Sequence, residues 1–139
     1  MGNGISSMRD VGSYIKPVVG VKPTDDTGTV INGAAIDRTG FESCVLHVAT
    51  GVATGAPTGQ TLDSKLQDSD TSGGTFVDIT GAAIAQIAAD NGVAEVDVDL
   101  SGVKAFIRVV QTMVLTAGTT PRWPVKSDVI LGGAVEVPA

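Results

Sequence analysis

The sequence predicts an all-β domain of the sandwich, jelly-roll or barrel type, and three observations carry that expectation. Hydrophobic residues make up 42% of the chain but aromatics only 4%. The core must therefore come mainly from Val, Ile, Leu and Ala, and the β-branched members favour pleated, half-buried surfaces. The 18 glycines supply frequent turns. Finally, about eight short segments alternate apolar and polar residues between turn signals, a spacing typical of sandwiches and barrels. A chain of 139 residues fits one domain and can bury roughly two thirds of its unfolded surface without staples.

The elements follow in order. Residues 1–26 read as an extended N-terminal arm or an edge strand, because Gly, Ser and Asp are frequent and Pro17 and Pro23 bracket "VVGVK". Residues 27–139 read as the single β-sandwich. Within it, Asn32-Gly33 marks a turn. "ESCVLHVAT" (Glu42 to Thr50) is a strand with Cys44, Leu46 and Val48 on one face and Val45, His47 and Ala49 on the other. "GVATGAPTG" (51–59) is a loop. "TLDSKLQ" (61–67) alternates again, is broken by "DSDTSGG", and resumes as "TFVDIT" (75–80).

"GAAIAQIAAD" (81–90) leaves helix and edge strand open. "VAEVDVDL" (93–100) turns Val96, Val98 and Leu100 inward and Glu95, Asp97 and Asp99 outward. "KAFIRVVQTMVLT" (104–116) is apolar on both faces, so it should lie centrally in a sheet. "AGTTPRWP" reads as a loop, with Trp123 either capping the core or anchoring a partner, and "SDVILGG" (127–133) is the last clear strand.

The charge balance narrows the function classes. Fifteen acidic against nine basic residues give a net charge of −6. Phosphate neutralisation needs Lys and Arg, so neither nucleic acid nor an anionic membrane surface is an expected partner. The single cysteine rules out an internal disulfide. "MGNGISSMRDVGSY" lacks the basic and apolar regions of a signal peptide, although "MGNGIS" fits the loose myristoylation pattern.

The stretch "KLQDSDTSGGTFVDI" (65–79) raises the question of calcium. A calcium loop starting at Asp68 would place Asp70, Ser72 and Gly73 correctly, but its twelfth position is Ile79 rather than a bidentate Glu. The flanks also alternate like strands. A hairpin turn is the better reading, with Gly73-Gly74 expected to supply positive φ. Cys44 and His47, three apart on one strand, point to opposite faces and cannot form a local nucleophile pair. No GxSxG elbow and no phosphate-binding glycine motif is present. Catalysis, cofactors and metals are therefore not expected. The acidic stripe Glu95, Asp97 and Asp99 is either a solvated face or a docking stripe for a basic surface.

Three blocks, "IDRTGFESCVLHVATG", "KLQDSDTSGGTFVDI" and "VDVDLSGVKAFIRVV", resemble in order and spacing the head decoration, or capsid cement, proteins of tailed bacteriophages. The matching patterns are Asp-Arg-x-Gly-Phe at Asp37 to Phe41, Lys-Leu-Gln-Asp-Ser at Lys65 to Ser69, and Gly-x-Lys-x-Phe-x-Arg at Gly102 to Arg108. The resemblance covers residues 36–133. It implies a jelly roll on the exterior of a virion capsid, made in the host bacterial cytoplasm, without catalysis or cofactor. It also implies a major capsid protein as partner, and self-association as a dimer or trimer. Expected contact residues are Arg9 and Tyr14 in the arm and Arg122 and Trp123 in the "TTPRWP" loop. Two other readings stay open: a tail or head–tail joining component, and a carbohydrate-binding β-sandwich, for which one Trp and one Tyr are a sparse endowment.

Overall fold

The computed structural model describes residues 10–135. After a single 3-10 turn at Val11–Ser13, nine strands follow: β1 (Lys16–Asp26), β2 (Val30–Asn32), β3 (Ile36–Asp37), β4 (Phe41–Thr50), β5 (Gly59–Ser69), β6 (Val77–Ala83), β7 (Val93–Asp99), β8 (Phe106–Thr116) and β9 (Trp123–Ala134). One sheet runs β1-β9-β4-β7. The other runs β2-β8-β5-β6, with β3 also pairing β8. Every pair is antiparallel. Only β2–β3 and β5–β6 are joined within a sheet; every other connection crosses between sheets. With β2 and β3 counted as one interrupted strand along β8, this is the order of a two-sheet jelly roll.

The alternation read in the sequence places the core. Cys44, Leu46 and Val48 of β4 and Val125, Val129 and Leu131 of β9 face Leu62 and Leu66 of β5 and Ile107, Val109 and Met113 of β8, all buried. β8, apolar on both faces, is central between β2/β3 and β5. Residues 81–90 form no helix: β6 runs to Ala83, and Ile87 then bridges Leu62 of β5. Tertiary pairing overrides the helical preference of the alanines here.

Lys16–Asp26, in the region expected to be arm or edge strand, pairs with β9 along its length as an edge of the first sheet. Its last residue ties the two sheets together. Asp26 is buried; its Oδ1 accepts from the backbone N–H groups of Gly28 and Thr29, and its Oδ2 accepts from Gln111 Nε2 of β8 at 3.0 Å. Burial of a carboxylate is tolerable only when its oxygens are satisfied in this way. Where the chain passes from β2 to β3, Gly33 crosses β1 so closely that a Cβ there would fall on the carbonyl oxygen of Gly20.

Two boundaries differ from expectation. The last strand begins at Trp123, not Ser127, so the tryptophan belongs to a strand rather than a loop. The β5–β6 hairpin forms as expected, but neither Gly73 nor Gly74 takes a positive φ. Position 74 is crowded instead: a Cβ there would lie 2.5 Å from Thr71 Oγ1 and 2.6 Å from Ser69 Oγ, so both hydroxyls would have to turn away.

Candidate functional site

The three sequence blocks converge at one end of the sandwich, around the entry to β8. Arg38, between β3 and β4, donates from its guanidinium to the carbonyl oxygens of Lys104 (3.1 Å), Phe41 (3.2 Å) and Val103. The planar fork of arginine suits this three-carbonyl clamp, which lysine could not reproduce. The backbone N–H of Lys104 donates to Asp68 Oδ2 at 3.1 Å, and Lys104 Nζ lies 3.8 Å from Asp70. The carboxylates once weighed as calcium ligands are therefore directed at Lys104. Among the described residues, no group of three or more His, Cys, Asp or Glu is placed to hold a metal.

A second network lies on the outer face of the β6-β5-β8 sheet. Arg108 donates from Nε and an Nη to Gln67 Oε1 at 3.0 and 2.9 Å, and its guanidinium stacks 4.5 Å from the Phe76 ring centroid. Gln67 Nε2 and Lys65 Nζ both reach Asp78, at 2.8 and 2.9 Å. Those two bonds, the Gln67 one foremost, hold the Asp78 carboxyl below the usual carboxylate range. Gln67 and Asp68 thus sit in β5 and brace it, one against β6 and β8 and the other against the loop leading into β8.

The expected contact residues do not form one patch. Arg9 lies outside the described residues. Tyr14 is half-buried just before β1. Arg122 is exposed at the opposite end, 4.0 Å from Asp25. The register fixes that separation, since Lys16 pairs with Leu131 and Asp26 with Trp123; eight residue steps along β9 span roughly 27 Å. Trp123 is 0% exposed and its indole N–H donates to Gly51 O at 3.0 Å. It fills the core and is no surface anchor. β9 continues two turns of alternation further than the sequence signal, which puts Trp123 in phase with Val125 and Val129.

No catalytic arrangement accompanies these networks in the described residues. Cys44 points into the core, where desolvation pushes its thiol up to about 11. His47 lies on the outer face, in register between Glu95 of β7 and Asp128 of β9. A concavity of about 700 Å³ opens on that same face among Ile15, Ser43, Val45, Asp97, Asp99 and Ile130. It offers apolar walls, the Ser43 hydroxyl and two carboxylates, and among the described residues Ser43 donates to neither carboxylate.

No family model matches the chain, and no curated protein does. Solved structures do match. The VP2 subviral particle of infectious bursal disease virus aligns with a TM-score of 0.54 at 10% identity over 86% of this chain. The T13 particle of the same virus aligns with a TM-score of 0.54 at 11% identity. This chain spans only about a third of those chains, 32% and 31%. The SPBc2 prophage-derived protein YomS aligns over 84% of this chain and 91% of its own, with 15% identity and a TM-score of 0.47. At these identities the likeness is one of fold: the chain has the jelly-roll sandwich found in viral capsid proteins.

Proposed function

We propose that the protein is a structural virion component that decorates the exterior of a tailed-phage capsid and bridges neighbouring major capsid protein subunits. The observation that carries this reading is the convergence of the three resemblance blocks. Arg38, Asp68 and Lys104, each from a different block, lock one end of the jelly roll. The residues that carry the resemblance serve rigidity rather than chemistry, as a cement module requires. The separation of Tyr14 from Arg122, at opposite ends of the sandwich, suits a domain that touches two neighbours at once. Many weak contacts repeated over a shell then add by avidity.

The test is co-sedimentation of the purified protein with expanded heads of its own phage assembled without it. Saturation at a fixed multiple of the shell's symmetry sites is expected. Absence of binding to heads, with binding instead to tails or to glycans, overturns the reading.

A further inference from the structure

We propose that copies of this chain associate head to tail, the acidic edge strand β7 of one copy lying against the exposed lysines of edge strand β1 of the next. The two strands are opposite edges of the same sheet, and each pairs on one side only, β7 with β4 and β1 with β9. Their charges are opposite. β7 exposes Glu95, Asp97 and Asp99 at alternate positions, and none of these has a cationic partner within 4.0 Å among the described residues. β1 exposes Lys16 and Lys22, also without ion pairs, while of its two aspartates Asp25 lies beside Arg122 and Asp26 is buried on Gln111. Each edge adds an exposed valine, Val93 at 65% on β7 and Val19 at 49% on β1.

Like-with-like pairing is disfavoured on both sides. Two β7 edges would bring six carboxylates together, and like charges juxtaposed across an interface repel. Two β1 edges would oppose lysines and would meet at Pro17 and Pro23, which have no N–H to donate. A two-fold contact is therefore selected against at either edge, and the heterologous contact remains. Such a contact closes into a ring or propagates as a chain, depending on its rotation. The prolines, and Gly33 packed against the Gly20 carbonyl, limit main-chain pairing along β1, so side-chain charge governs the contact. The inference stands on the edges alone and does not depend on a capsid partner.

Charge-swap variants read by sedimentation velocity across a concentration series test it. Wild-type protein should show a weight-average sedimentation coefficient that rises with concentration. Lys22→Glu and Asp97→Lys, both at exposed positions, should each weaken association by about tenfold or more. The double variant keeps the net charge of the wild type and should recover association, as should an equimolar mixture of the two single variants. Thermal melts of each variant establish that it is folded. A wild type that stays monomeric to millimolar concentration overturns the proposal. So does association unaffected by Lys22→Glu, or a double variant as weak as either single one.

Discussion

Replacing Trp123 with alanine tests the assignment of this residue to the core. The side chain is 0% exposed, packed in the sandwich, with its N–H on Gly51 O. An aromatic side chain of this kind removes roughly 200 Å² from water, which at about 25 cal/mol per Å² sets an upper bound near 5 kcal/mol. Measured costs of Trp→Ala in cores, about 3–5 kcal/mol, agree. Unfolding entropy near 2.1 cal/mol/K per residue gives roughly 0.3 kcal/mol/K for a chain of 139 residues, so the melting temperature should fall by roughly 10–17 °C. Trp123→Phe should cost far less: the ring remains, and Gly51 O still accepts from the Asn91 N–H at 2.9 Å. Calorimetry is the right assay, because Trp123 is the only tryptophan and both variants lose the fluorescence signal. An alanine variant melting within a few degrees of wild type would refute the core assignment and restore Trp123 as a candidate anchor.

Three further outcomes follow from the same geometry. Arg38→Ala removes three bonds to backbone carbonyls and should cost about 2 kcal/mol by urea denaturation, with Arg38→Lys recovering little of it; an unchanged midpoint would dismiss the clamp. Cys44, buried with its thiol pushed up to about 11, should resist a thiol reagent in the native protein and react once denatured; rapid labelling of folded protein would contradict its placement. Asp90, held below the usual carboxylate range by the Ala53 N–H and then the Gln60 amide, should titrate beneath an ordinary aspartate by NMR. Because its folded pKa is the lower one, the tie to the 51–59 loop is fully present above the ordinary aspartate range and fades as pH falls through the lowered value. A midpoint at or above the ordinary value would remove that tie.

Much of the sandwich was legible because its strands carry a period-two signal. β4, β5 and β7 turn the expected residues inward, and β8 is central for the reason its two apolar faces suggest. What escaped depended on long-range contacts. Proline and tryptophan in "PRWP" look like loop punctuation, yet β1 and β4 pair with β9 from Trp123 and Val125 onward and draw them into the sheet. Pro124 is tolerated there because it begins a strand rather than interrupting one. Gly74 has the sequence context of a positive-φ turn, whereas in the fold its φ is negative and the hydroxyls of Ser69 and Thr71 crowd the space a Cβ would take. The Arg38 clamp had a sequence signal, the Asp-Arg-x-Gly-Phe motif, which holds the near acceptor Phe41, but the other two acceptors lie more than sixty residues away in the β7–β8 loop and no local pattern points to them.

The placement of the three blocks bears on where specificity can reside. The polar side chains of the three motifs within them, Asp37 to Phe41, Lys65 to Ser69 and Gly102 to Arg108, are engaged in internal bonds: Arg38 on carbonyls, Asp68 on a backbone N–H, Gln67 and Arg108 on each other. A group already satisfied within the chain gains little by meeting a partner, since it must first give up a bond of comparable strength. Edge charges without an ion pair among the described residues lie outside these motifs, at Glu95, Asp97 and Asp99 on one edge and at Lys16 and Lys22 on the other. Substitutions in these motifs should therefore change stability and leave partner choice intact, whereas substitutions of the edge charges should change partner choice and leave the melting temperature intact. A block variant such as Gln67→Ala that melts normally yet loses self-association, or an edge reversal that unfolds the chain, would break that division.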